Sequence, residues 1–63
     1  MLAIQDVRGR ETYVGDLVAF VSEGSLHIRE VEKVCPNVLQ ICVSYPCISL
    51  KYLDYNEFVK VEG

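Results

Sequence analysis

Basic residues are scarce in this chain: six Lys and Arg stand against nine Asp and Glu, a formal charge of −3. Nucleic-acid binders draw most of their affinity from cations that neutralise phosphates, so the expected partners are proteins rather than nucleic acid. Histidine is rarer still. His27 is the only one, eight residues ahead of the first of three irregularly spaced cysteines, a spacing that does not read as a structural zinc site. No metal and no cofactor is expected, and the odd count of Cys35, Cys42 and Cys47 reads as reduced thiols. On a strand, His27 alternates opposite Leu26 and Ile28 and is expected to face solvent, away from any thiol. There is no phosphate-cradling glycine loop, and an enzyme is not expected. Long apolar runs are missing too, since nothing approaches the roughly 18 residues that span a bilayer. Met1 to Asp6 lacks a basic start and a long apolar stretch, so a secretion signal is not expected and a cytoplasmic location is. Without a linker, a repeat or a low-complexity tract, residues 1–63 read as one domain.

Apolar side chains, in contrast, are abundant. They make up 51% of the chain, and Val alone accounts for 10 of the 63 residues. Such β-branched enrichment suits half-buried strands. It is also more than a domain this small hides easily, because a chain of about 60 residues buries only about 60% of its unfolded surface. Self-association or a permanent partner follows as an expectation.

Turn signals recur at short intervals, as in an all-β unit: Gly9 and Gly15, Ser22 to Ser25, Cys35-Pro36-Asn37, Tyr45-Pro46 and Asp54 to Glu57. Between them lie runs of strand length. Leu2 to Val7 is a short first strand. Leu17 to Val21 is continuously apolar, as expected where both faces of a strand are covered. Leu26 to Val31 begins as an alternation with Leu26 and Ile28 on the core side and then loses register at Val31 and Val34, which lie three apart. A bulge near Arg29 or Glu30 is expected to return the strand to the core. A helix over Leu26 to Val34 is the competing reading, since Ile28, Val31 and Val34 recur at intervals of three. The hairpin-like Glu23-Gly24 before it and the lack of a capping glycine after it favour strand. Val38 to Val43, Ile48 to Leu53 and Phe58 to Val61 complete the set.

Asp6-Val7-Arg8-Gly9-Arg10, followed by Val14-Gly15-Asp16-Leu17-Val18, resembles the opening of small SH3-like proteins, many of them phage-encoded. Gly15-Asp16 before Leu17-Val18 is also similar to the entry of KOW and Tudor-like barrels. Tyr52 to Val61 looks like the strand, 3₁₀ turn and final strand that end such domains. The resemblance implies a five- to six-stranded SH3-like barrel with a 3₁₀ turn before the last strand. This chain lacks the tryptophan of peptide-binding SH3 grooves and the glycine that KOW motifs carry on their second strand.

Tyr13, Tyr45, Tyr52 and Tyr55 lie at or beside the expected loops. Tyrosine favours interfaces because it joins a large contact area to a hydroxyl that tolerates water. Together with Arg8 and Arg10 they form the candidate partner-binding set. The leading expectation is a small non-catalytic module, phage-encoded in many look-alikes, that binds a larger intracellular protein. Two alternatives stand beside it: nucleic-acid binding through Arg8, Arg10 and Arg29 with a stacked tyrosine, and self-assembly as a structural component. The acidic groups, Glu30 with Glu32 and Asp54 with Glu57 and Glu62, read as solvated faces.

Overall fold

The computed structural model describes residues 3–44 and 50–61, and over these the chain is all-β. Two short strands, β1 (Ile4–Gln5) and β2 (Glu11–Thr12), pair with each other. The remaining five are β3 (Leu17–Ser22), β4 (Ser25–Cys35), β5 (Gln40–Val43), β6 (Lys51–Asp54) and β7 (Phe58–Val61). They form one antiparallel sheet in the order β6-β5-β4-β3-β7, so the last strand returns to lie beside the first of the meander. Among the described residues no ladder joins β6 to β7, and the sheet stays open. Its inner side carries the core: Ile4, Val18, Phe20, Val31, Val34, Ile41, Val43, Leu53 and Phe58.

Turn chemistry explains the hairpin. Ser22 pairs with Ser25, leaving Glu23 and Gly24 as a two-residue loop with positive φ at both positions, 53° and 77°. That is the turn whose twist matches a right-handed strand pair. Gly15, with φ of 97°, supplies the left-handed residue of the turn into β3. Asp16 closes that turn by accepting the Tyr13 N–H at 2.8 Å. Gly15 and Asp16 then exchange backbone bonds with Val31, which ties the turn to β4.

Strand β4 is long because it serves both halves of the sheet. Ser25 to Glu30 pair with β3, and Val31 to Cys35 pair with β5. The register shifts between Val31 and Lys33, which makes Glu32 the extra residue; its carboxylate receives the Ser44 hydroxyl. This bulge lies after Val31 rather than near Arg29 or Glu30. The displacement of two residues has a large consequence. With the bulge beyond it, Val31 shares its face with Arg29 and His27, so Leu26 and Ile28 turn outward. The expected core placement of Leu26 and Ile28 is reversed, and so is the solvent placement of His27. His27 lies across from Phe20 on the inner side, the ring centroids 5.7 Å apart.

Other boundaries move as well. The 3₁₀ helix is Pro36–Val38, between β4 and β5 rather than before the last strand. Pro36 starts it with a fixed φ, and Leu39 ends it in a left-handed conformation, so β5 begins at Gln40 rather than Val38. Before β7 stands a plain turn, in which Glu57 N–H donates to the Asp54 carbonyl at 2.9 Å and the Glu57 carboxylate accepts the Asp54 N–H. Strand β3 has only one covered face: Val18, Phe20 and Ser22 are buried, whereas Leu17 and Val21 are exposed.

The outer edge of β7 is closed by a knot around Asp6. Its side chain is buried and accepts backbone N–H groups from Arg8 and Arg10 at 2.9 Å each and from Lys60 at 2.7 Å. Arg10 completes it, pairing with Asp6 at 3.3 Å while its guanidinium donates to the Lys60 carbonyl. Val7 N–H takes the Phe58 carbonyl at 3.1 Å. An edge strand left bare is a template for pairing with other chains, and here the Asp6–Arg10 turn occupies it.

Candidate functional site: the outer face of the sheet

Once Leu26 and Ile28 point outward, the register assembles a continuous apolar field over three strands. Leu17 lies beside Val61, Ala19 between Ile28 and Val59, and Val21 beside Leu26. Leu26 is 68% exposed, Val21 67%, Ile28 47% and Leu17 42%, while Ala19, Val59 and Val61 are half-buried among them. Val7, also exposed, extends the field past β7. Together with Ala19, Val21, Leu26 and Val59 it lines a shallow depression of about 380 Å³. Asn56 and Glu57 stand on its margin at one end of the field, and Glu30 stands beside Leu17 at the other.

The face is apolar rather than catalytic in make-up: its exposed side chains are those of Leu17, Val21, Leu26 and Ile28. Single exposed apolar residues are ordinary, but these are contiguous. The polar side chains lining the depression are those of Asn56 and Glu57. Among the described residues, no three His, Cys, Asp or Glu side chains are grouped to hold a metal ion.

The tyrosines and arginines singled out from the sequence lie elsewhere and apart from this field. Tyr13 sits on the turn between β2 and β3, and its hydroxyl donates to Glu11 at 2.6 Å. That hydrogen bond, with smaller contributions from burial and the nearby carboxylates, raises its pKa. Tyr55 is exposed on the turn before β7 and lines a second depression of about 410 Å³ with Ala3, Ile4, Gln5 and Leu39. Tyr52 falls within β6 rather than beside a loop. It lies opposite Cys42, and their side-chain hydrogen bond raises the Tyr52 hydroxyl. Burial pushes the Cys42 thiol upward too, keeping it protonated. Tyr45 lies outside the described residues. Arg8 is exposed, and Arg10 is engaged in the Asp6 knot.

The outer face went unseen in the sequence because its signal was read the other way. A continuously apolar Leu17-Val18-Ala19-Phe20-Val21 describes a strand covered on both sides. Over the described residues only the inner side of β3 is covered, and Leu17 and Val21 are exposed on the other. No family model, no curated protein and no solved structure matches this chain.

Proposed function

We propose that this chain is a non-catalytic protein-binding module that docks through the outer face of β3, β4 and β7. The observation that carries this reading is the contiguous field of Leu17, Val21, Leu26, Ile28 and Val59 on the side of the sheet away from the core. Burying such a field stabilises a complex by roughly 25 cal/mol for each Å² removed from water, before the costs of association. The architecture is read as SH3-like. The return of β7 to the side of β3 and the bulged β4 shared between two halves of the sheet support that reading.

The test compares assembly size in extracts of cells producing the chain with and without Val21→Ser and Leu26→Ser. The intact chain is expected to elute well above its own 7.1 kDa, and the double variant at that mass. Elution of both at the monomer position contradicts docking through this face.

A further inference from the structure

Away from the apolar field, the outer side of the sheet carries sulfur. Strand β5 is buried at Ile41, Cys42 and Val43, yet its alternation sends Cys42 to the side away from the core. Across the strands, Cys42 lies between Lys33 of β4 and Tyr52 of β6, and Cys35 stands one pleat along from Lys33 on the same face. The bulge at Glu32 creates this grouping. It lets Val31 and Val34 turn inward while Lys33 and Cys35 turn outward. The Cys42 thiol shares hydrogen bonds with the Tyr52 hydroxyl and with the Cys35 thiol. In the adjoining row, Gln40 donates to the Asp54 carboxylate at 2.8 Å, so those polar groups engage each other and leave the two thiols together.

We infer that Cys35 and Cys42 form a binding site for a soft monovalent cation, namely Cu(I). Sulfur donors select soft ions: Cu(I), zinc and the iron of iron–sulfur clusters. Structural zinc and the clusters take four ligands, and among the described residues no third Cys, His, Asp or Glu is grouped with this pair. Two sulfurs are enough for Cu(I), a closed-shell ion that accepts two donors on opposite sides. Two metal–sulfur bonds of about 2.3 Å span about 4.6 Å, little more than two sulfurs in hydrogen-bond contact. A disulfide fits the same pair less well. Diagonal neighbours on a sheet stand about 7–8 Å apart between Cα atoms, whereas a disulfide holds them within about 6.8 Å. Both thiols are free.

The charges suit the ion as well. Each thiol gives up its proton on binding, so one Cu(I) with two thiolates carries a single negative charge. The Lys33 ammonium beside Cys42 offsets it. Half-buried Cys35 is the point of entry, and fully buried Cys42 holds the second bond away from water.

Competition with the coloured Cu(I)–bicinchoninate complex, run without oxygen on the reduced full chain, tests the inference. The chain is expected to withdraw one Cu(I) per molecule from the complex. Cys35→Ser is expected to raise the Cu(I) dissociation constant at least about 100-fold, the upper end of what loss of an outer partner alone costs. Its far-UV spectrum should stay that of the parent, because the position is half-buried and the change is small. Cys47→Ser is expected to bind as the parent does. With three cysteines in the chain, that pattern leaves Cys42 as the second ligand. A parent chain that takes no Cu(I) from the complex overturns the inference. Undiminished binding by Cys35→Ser overturns it too, and so does loss of binding in Cys47→Ser, since other thiols then supply the site.

Discussion

Replacing Asp6 with Ala is expected to leave most molecules unfolded at room temperature. The substitution removes the acceptor for three backbone N–H groups and the partner of Arg10. Each of these part-buried donors left without an acceptor costs about 1–3 kcal/mol, and the loss of the half-exposed Arg10 pair adds less than a buried pair does. A 63-residue domain has roughly 3–9 kcal/mol of total stability, so the loss consumes most of it. Arg10→Ala should cost less, about 1–2 kcal/mol, because Asp6 keeps its three backbone donors. Asp6 also sets the response to acid. Burial alone would raise its pKa, but the N–H groups of Lys60, Arg10 and Arg8, with the Arg10 charge, outweigh burial and hold it below the ordinary 3.8. A carboxylate held low in the fold contributes stability that is fully present above that ordinary value and is lost as pH falls through the lower folded value. Acid unfolding is therefore expected below about pH 4 in the intact chain. Arg10→Ala should shift it upward. Circular dichroism melts at one low protein concentration check all three; an Asp6→Ala protein that melts like the parent contradicts the role given to the knot.

The second large effect separates two leucines that look alike in the sequence. Leu53, 2% exposed, lies in the core opposite Ile41. Leu53→Ala is expected to cost about 2–5 kcal/mol, the usual range for a buried leucine that leaves a cavity. Leu26→Ala, at a site 68% exposed, should change the stability of the dilute monomer by no more than about 0.5 kcal/mol. Urea unfolding in the nanomolar range, read by tyrosine fluorescence, gives both numbers free of association. Equal penalties at the two positions mean that Leu26 faces the core, and with it the outer field disappears.

These two leucines also show where the sequence was legible. Local chemistry read well. Glu23-Gly24 made a hairpin, Gly15-Asp16 made a capped turn, and Phe58 to Val61 made the last strand. The need for a bulge was also legible, because Val31 and Val34 cannot both reach one core on an unbroken strand. Only a bulge between Val31 and Val34 carries both inward, which is where it lies, and the reading near Arg29 or Glu30 missed this parity. Leu26 and Ile28 could then point inward only with a second bulge ahead of Val31, and the strand partners that rule it out are distant in sequence. Asp6 was equally opaque. Its turn with Gly9 and Arg10 could be recognised as a motif, but its acceptor role depends on Lys60, 54 residues away. The tyrosines stood out for their chemistry at interfaces, yet the contiguous apolar field is built from residues whose common chemistry hid them.

The claim at the centre of this account is that the outer face of β3, β4 and β7 is covered by protein when the chain is at work. Methyl-labelled chain, with a soluble nitroxide as the probe, reports this side chain by side chain. In the dilute free chain, the probe should broaden the methyl signals of Val21, Leu26 and Ile28 and spare those of Val31 and Val34. In the assembled form isolated from cells, the broadening at Val21, Leu26 and Ile28 should be lost while that of Val14 is retained. Outer-face methyls that stay open to the probe in the assembly, with protection arising beside Tyr13 or Tyr55 instead, would contradict it and move the binding surface to the turns.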